Sequence, residues 1–308
     1  RTACPSPSEI DLPFQVAALL AASSWAVGGL IAAEPSRLLG GPRFVRLRMV
    51  YVTVALSLIG LLVGGWGTVE SGDWVPLAIS GFVGLALGDA ALFEAFARLG
   101  PRRTGMLFTA NAPIAAVLSA IIFEEEFGFL GVLGTIFVVA GVSLAIAYGT
   151  RPGQSHTWEE VRGSLWVGVT FGLLGALGQS VAVLVADPVF DGTLDPWAGA
   201  AVRAVVGTAG LFALRPWFER RSNSRPPVTF TLRLWVLVLI SGTLGMVVGK
   251  TLMLIALEGG PPGLVSILVA VAPVIQLPII WLVTRDLPPG GAWLGALLAV
   301  AGTAMVLA

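Results

Sequence analysis

Long apolar blocks alternate with short polar connections along the whole chain. Ten blocks recur, and each is close to the roughly 20 residues that an α-helix needs to cross a bilayer. They run approximately over Leu12–Ala33, Met49–Val69, Trp74–Ala97, Thr104–Phe123, Phe127–Gly149, Gly163–Ala186, Pro196–Leu214, Leu234–Leu257, Gly263–Thr284 and Pro288–Ala308. The pattern predicts an all-α membrane protein with ten transmembrane helices, which we number helix 1 to helix 10.

The connections between the blocks are rich in proline, glycine and charge, as in EPSRLLGGPR at 34–43 and RPWFERRSNSRPP at 215–227. Composition points the same way, because 56% of the residues are hydrophobic and only 12% are charged, against about 25% charged in a soluble domain. We therefore expect an integral, multi-pass protein of a bacterial or archaeal cytoplasmic membrane, with the lipid bilayer as its surroundings.

The two halves of the chain carry the same phrases in the same order. SGFVGLALGD at 80–89 recurs as SGTLGMVVGK at 241–250, and Arg48 and Arg203 stand alike near the starts of helices 2 and 7. The sequence thus predicts one five-helix repeat over 12–149, a linker over 150–162 and a second repeat over 163–308. Because five is odd, the second unit begins on the opposite side of the membrane, which gives two inverted five-helix repeats. Such repeats are typical of transporters with a substrate site near the midplane.

Small residues and prolines mark where these helices pack or bend. Two pairs of glycines lie one turn apart on a helical face, which allows close helix approach: Gly84 with Gly88, and Gly245 with Gly249. We expect helices 3 and 8 to cross at the bundle centre through these faces. Pro113 and Pro273 each free a carbonyl four residues earlier, and are predicted kinks beside the transport path.

Asp89 and Lys250 are charges at matching positions inside apolar blocks. A charge within a span is a functional-site hypothesis by default, and a structural pair that staples the repeats is the alternative. At about 1.5 Å per residue, their α-carbons should differ in depth by roughly 10 Å. Such a gap suits an amino acid or another zwitterion, with its carboxylate on Lys250 and its ammonium on Asp89. A proton bound by Asp89 is the candidate coupling ion.

Other polar groups within the spans are candidate substrate contacts, and each has a helix-packing alternative: Trp25, Asn111, Gln179, Gln276 and Arg203. Two further charges are expected to be structural. Arg48 is expected to snorkel to the interface. Glu94 is expected to pair with Arg98, four residues later on the same helix.

Enzymatic function is not expected. His156 is the only histidine and sits in the linker, so a histidine-dependent hydrolase within the membrane lacks its base. No second deep aspartate accompanies Asp89, and Cys4 stands alone, so neither an aspartyl dyad nor a cysteine-based metal cluster is predicted. No cofactor, metal or nucleic acid is expected. An ion channel or a structural bundle without transport remains the alternative to a carrier, and saturable exchange would favour the carrier.

Several motifs together resemble the EamA-like family of the drug/metabolite transporter superfamily. They are W-A-x-G at Trp25–Gly28, P-x5-R at Pro42–Arg48, P-x12-E at Pro113–Glu126, and L-G-x6-G at Leu133–Gly141. One departure is Asp286, which stands in the second half where the first has Glu126. The resemblance implies a ten-helix secondary active transporter of small metabolites, frequently an exporter, with a central cavity lined by both repeats. A homodimer is a candidate assembly.

Positive charge is sorted by side in the predicted topology. The N-terminal side holds only Arg1, and the opposite side holds Arg37, Arg43, Arg46, Arg48, Arg98, Arg102, Arg103, Arg151, Arg162, Arg215, Arg220, Arg221, Arg225, Arg233 and Arg285. Short loops rich in arginine stay cytoplasmic. The charges therefore predict that both termini are extracytoplasmic, although members of the family more usually keep both inside.

Overall fold

The protein is mainly helical over the residues that the computed structural model describes, which are 13–122, 128–147, 160–190, 194–220, 228–259, 265, 268–285 and 287–306. In chain order the α-helices are α1 (Phe14–Leu39), α2 (Gly41–Leu62), α3 (Trp74–Ser80), α4 (Asp89–Leu99), α5 (Pro101–Phe108), α6 (Asn111–Ile122), α7 (Phe129–Ala147), α8 (Leu165–Phe190), α9 (Pro196–Ala213), α10 (Arg215–Arg220), α11 (Leu232–Gly242), α12 (Gly249–Gly259), α13 (Ala272–Thr284) and α14 (Gly290–Val306). Cys4, Glu126, His156 and Asp286 lie outside the described residues, as does most of the predicted linker.

The helices make a multi-pass membrane protein. Within the described residues, six helical stretches are long and apolar enough to cross a bilayer, namely Phe14–Leu39, Gly41–Leu62, Trp74–Leu99, Pro101–Ile122, Leu165–Phe190 and Leu232–Leu257. Three shorter apolar helices are Phe129–Leu144, Ala272–Val283 and Gly290–Val306. The all-α class is thus confirmed, and the count of ten spans stays a prediction.

The junction between the first two helices differs from the prediction. Helix α1 continues to Leu39, past the expected end at Ala33, and α2 already begins at Gly41, eight residues before the expected Met49. Pro42 lies in the first turn of α2, where a missing backbone N–H costs nothing. The arginines around this junction are largely buried within the helices rather than spread along a loop, and this is why a hydropathy pattern misplaced the boundary.

Each copy of the repeated phrase, SGFVGLALGD at 80–89 and SGTLGMVVGK at 241–250, contains a π-helical segment. The first π segment is Gly81–Gly88, between α3 and α4, and the second is Thr243–Val248, between α11 and α12. The wider turn is visible in the backbone hydrogen bonds: the Asp89 N–H donates to the Gly84 carbonyl, and the Gly249 N–H donates to the Leu244 carbonyl. Turns of this kind occur frequently at functional sites, and here the same one occurs in each half.

The glycines of the first phrase pack on the second half of the chain. A Cβ at Gly84 would lie 2.6 Å from the Ala182 Cβ of α8, and a Cβ on Gly178 of α8 would lie 2.9 Å from the Gly88 Cα. The first π segment also packs against α9. These glycines therefore permit close helix approach, but their partners are α8 and α9.

The second phrase packs on the first half. A Cβ at Gly28 of α1 would lie 3.4 Å from the Gly245 nitrogen, and one at Gly249 would overlap the Trp25 indole. The expectation that helices 3 and 8 cross through their glycine faces is thus wrong. Each phrase instead lies against the first helix of the opposite half, because the facing surfaces of α1 and α8 are themselves rich in small residues.

Corresponding helices of the two halves also pack against each other. Helix α2 packs against α9, the corresponding helix of the second half, and α7 packs against α14. The α7–α14 seam is close enough that a Cβ at Gly134 would reach the Gly302 carbonyl at 2.5 Å, and one at Gly302 would reach the Gly134 carbonyl at 2.5 Å. The two halves therefore interlock, and neither is a separate bundle.

Both predicted proline sites follow a break in the helix. A turn at 109–110 separates α5 from α6, and Pro113 is the third residue of α6. In the second half a turn at 270–271 precedes α13, and Pro273 lies in its first turn. The helices are therefore interrupted where the prolines predicted it, and the role of these breaks in transport stays a prediction.

Candidate functional site

A buried ion pair lies where the first π segment meets α4. The Arg48 Nη2 donates to Asp89 Oδ2 at 2.7 Å, and both side chains are nearly inaccessible, at 5% and 7% exposure. The other carboxylate oxygen, Oδ1, accepts a hydrogen bond from the Gln179 Nε2 at 2.8 Å. Both oxygens of Asp89 are therefore engaged, one by the first half of the chain and one by the second.

Arg48 is a core residue rather than an interfacial one. Its guanidinium lies over the Phe93 ring at 4.2 Å from the centroid, which adds a cation–π contact to the ion pair. Its side-chain stem lies against Gly242, since a Cβ there would be 3.1 Å from the Arg48 Cγ. The expectation that Arg48 snorkels to the interface is wrong. The carboxylate of Asp89 keeps the guanidinium in the core. Because Asp89 lies on α4 and Arg48 on α2, the pattern of a single helix does not show this partner.

Side chains from the first helix of each half bind carbonyls in the π segment of the other. Gln179 of α8 donates to the Gly84 carbonyl at 3.1 Å in addition to Asp89. Reciprocally, Ser24 and Trp25 of α1 donate to the Leu244 and Gly245 carbonyls, each at 2.8 Å. A polar group in a membrane interior must be satisfied within the protein. These hydrogen bonds satisfy the carbonyls of the π segments and also join the two halves.

Arg203 reaches the same region from α9. Its backbone lies directly on Gly81, where a Cβ would overlap the Arg203 carbonyl, and its Nη2 lies 3.9 Å from the Cβ position of Gly84. The Arg203 Nε is buried and has no hydrogen-bond partner in the described part of the chain. Its charge acts on Asp89. Arg203 thus borders the Asp89 site without closing an ion pair.

Lys250 lies one residue beyond the start of α12 and is partly buried. The charges of Arg203 and of Asp89 act on it, while no hydrogen bond or ion pair of its ammonium is found among the residues that the structure describes. The predicted Asp89 and Lys250 therefore belong to one electrostatic cluster, but Asp89 is bound to Arg48 instead. We call Arg48, Asp89, Gln179, Arg203 and Lys250 the central cluster.

The other predicted site residues lie around this cluster in different roles. The Trp25 indole is used in the bond to Gly245. Asn111 contributes its backbone carbonyl, which accepts from the Ser180 hydroxyl at 2.9 Å. Gln276 is buried beside Gly105, whose Cβ position lies 2.6 Å from the Gln276 Oε1. The structure therefore brings Gln179 and Arg203 to Asp89 and Lys250, and leaves the others at helix contacts.

Glu94 makes the structural pair that its spacing predicted. The Arg98 Nε donates to Glu94 Oε1 at 2.9 Å, and Glu94 Oε2 accepts from the Gly41 N–H at 3.0 Å. The carboxylate thereby ties the end of the α3–α4 span to the start of α2. Among the described residues no three histidine, cysteine, aspartate or glutamate side chains gather as metal ligands would.

A large cavity among the described residues lies outside the central cluster. It has a volume of about 1210 Å³ and opens between α8, the outer face of α4 and the start of α2, with lining residues that include Arg43, Glu94, Leu174 and Phe212. None of the charged residues of the central cluster lines it. Its walls carry exposed apolar side chains such as Leu174 and Phe212, at 48% each, and we do not place the substrate there.

Comparison with known proteins identifies the family. The sequence profile of the EamA-like transporter family matches residues 13–147 and again residues 166–308. A solved crystal structure of a protein superposes with a TM-score of 0.59 at 18% sequence identity, over 95% of this chain and 94% of that one, and supports the fold alone. A search of curated proteins finds no match. Because the family profile covers most of the sequence in two copies, the chain belongs to the EamA-like transporter family.

Proposed function

We propose that the protein is a secondary active transporter that moves a small metabolite by alternating access, with its substrate site at the central cluster. The observation that carries this proposal is the cluster itself, because charges inside a membrane are costly and are retained where they serve transport. They lie where side chains of both halves meet, as expected for a carrier whose repeats rock about a shared site. Ten spans in two inverted repeats are part of the proposal.

The coupling ion that we propose is the proton, bound at Asp89. When ionised, Asp89 holds Arg48 of its own half and Gln179 of the other. Protonation removes the charge that Arg48 pairs with and weakens an acceptor of Gln179. A proton would thereby loosen a bond between the halves, which links its movement to a change of access. Export is the proposed direction, as the family resemblance implies.

A channel is the competing function, because polar residues between two halves can also line a pore. The described contacts favour the carrier: both oxygens of Asp89 and the π-segment carbonyls are bound by side chains rather than left along an open path. A structural bundle is the weaker alternative, since it gives no reason to retain the charges of Arg203 and Lys250 without an ion pair.

Counterflow in proteoliposomes tests the carrier. Vesicles are loaded with an unlabelled panel of amino acids, carboxylates, phosphate esters, sugars and amines, and uptake of each labelled compound is measured from outside. We expect saturable uptake that is stimulated by the same compound inside, and that an imposed pH gradient drives. Flux that rises linearly with concentration and shows no exchange would instead establish a channel.

The charge bias leads to a separate prediction on sidedness. We propose that both termini are extracytoplasmic, since the arginines of the predicted loops fall on the opposite side. The structure places Arg37, Arg46 and Arg48 within helices rather than in a loop, and the arginines that remain on that side still far outnumber Arg1. A reporter fused after Ala308 that fluoresces only in the cytoplasm should stay dark, and one active only in the periplasm should work. The reverse pair of results would show that the usual family topology overrides the charges.

A further inference from the structure

The two arginines of the repeats occupy equivalent places. Arg48 is the eighth residue of α2 (Gly41–Leu62), and Arg203 is the eighth residue of α9 (Pro196–Ala213). Arg48 lies on Gly242, just before the second π segment, and Arg203 lies on Gly81, at the start of the first. Each arginine therefore crosses the π-helical span of the opposite half at the same point.

The partners of these arginines are also at equivalent places, but their charges differ. Asp89 is the tenth residue of the first phrase and binds Arg48. Lys250 is the tenth residue of the second phrase, so it stands where a carboxylate would complete the corresponding pair with Arg203. One half of the cluster holds an ion pair, and the other half has a basic residue at both of the equivalent positions.

The surplus of positive charge has no compensation among the described residues. The charges of Arg48, Arg203 and Lys250 all act on Asp89, so three cations share one carboxylate. That carboxylate is already bound to Arg48 and Gln179, while no ion pair of Arg203 or Lys250 is found in the described part of the chain. An uncompensated cation inside a membrane is stabilised most directly by an anion that brings its own hydrogen-bond acceptors.

We infer that the transported substrate is an organic anion whose carboxylate binds between Arg203 and Lys250, in the place that Asp89 occupies in the other half. This inference rests on the proposed carrier function and names its substrate class. Lys250 remains the partner of the substrate's carboxylate, as it would be for a zwitterion. The ammonium of a zwitterion would have no partner of its own, because the charge of Asp89 is already paired with Arg48.

A carboxylate supplied by the chain itself tests the inference without knowledge of the substrate. The variant Lys250→Asp places that group opposite Arg203, and Lys250→Met only removes the repulsion between the two cations. We expect the Tm of the purified full chain in detergent to rise in the order wild type, Lys250→Met, Lys250→Asp, with about 5 °C between the last two. The advantage of aspartate over methionine should vanish in an Arg203→Gln background, which a double-mutant cycle measures.

Two results would overturn the inference. One is a Tm of Lys250→Asp at or below that of Lys250→Met with Arg203 present, which would mean that no carboxylate is accommodated there. The other is counterflow by the wild-type protein of amines or neutral compounds but of no carboxylate. The second result would leave the carrier function standing. Flux without exchange would refute the carrier function, and the order of the Tm values would still test whether a carboxylate binds between Arg203 and Lys250.

Discussion

Replacement of Asp89 by asparagine is expected to abolish proton-driven transport and to destabilise the protein. Asparagine has nearly the same shape, but it carries no charge to pair with Arg48 and cannot bind and release a proton. Removing one partner of a buried ion pair costs about 3–5 kcal/mol, because the other charge stays buried and uncompensated. Uptake into proteoliposomes with and without a pH gradient measures the first effect, and thermal unfolding in detergent measures the second.

Two controls separate the functions of Asp89. Asp73→Asn changes a carboxylate at the exposed start of the same span, where Asp73 accepts from the Glu70 N–H at 2.8 Å, and should behave as wild type. The double variant Arg48→Met with Asp89→Asn removes both charges and should recover much of the stability while transport stays absent. Gradient-driven transport by Asp89→Asn at the wild-type rate would contradict the assignment of Asp89 as the coupling residue.

Removal of either cation of the second half is expected to impair substrate binding. Lys250→Met and Arg203→Gln each delete a charged donor, and a hydrogen bond to a charged group contributes about 1.5–3 kcal/mol. The apparent KM of the compound found by counterflow should therefore rise by about 10- to 100-fold, and Lys250→Met should at the same time be more stable than wild type. A loss of transport that accompanies a loss of stability would indicate a structural role instead.

Arg233→Gln is the matched control for these two variants. Arg233 also belongs to the second half, but it is largely exposed and pairs with Glu34 at 2.8 Å. An exposed ion pair contributes little to stability, so neither the KM nor the Tm should change appreciably. An equal rise in KM for Arg233→Gln and Lys250→Met would point to a general effect of positive charge on this part of the protein rather than to a binding site.

Much of the fold could be predicted because its causes are local. Length and hydropathy of the blocks follow from the bilayer, and the duplicated phrases are visible in the letters themselves. The π-helical turns could not be predicted, because SGFVGLALGD also suits an ordinary α-helix and the change lies in which carbonyl each N–H reaches. The pairing of helices was missed for a similar reason. Glycines show that a face permits close approach, without identifying the helix that approaches.

The candidate site was predicted in part. Asp89, Lys250, Gln179 and Arg203 stood out as polar residues in apolar blocks. Arg48 was assigned to the interface because the apolar block was expected to begin at Met49, the residue after it. Two signals indicate its place. Pro42 suits the first turn of a helix that begins at Gly41, and Arg48 has the same position in its repeat as Arg203. The link between Arg48 and Asp89 joins residues 41 positions apart, which no pattern along one helix reveals.

The bonds that cross between the halves also impose an order on biosynthesis. Ser24 and Trp25 are made and inserted 220 residues before the carbonyls that they bind, so the second π segment meets its donors already in the bilayer. For Asp89 the order is reversed. Its Oδ1 accepts from Gln179, which is synthesised 90 residues later, so only Arg48 can pair with Asp89 at first. We therefore expect the N-terminal half to enter the bilayer with the Asp89 Oδ1 still lacking Gln179, and this hydrogen bond to form only when α8 is inserted.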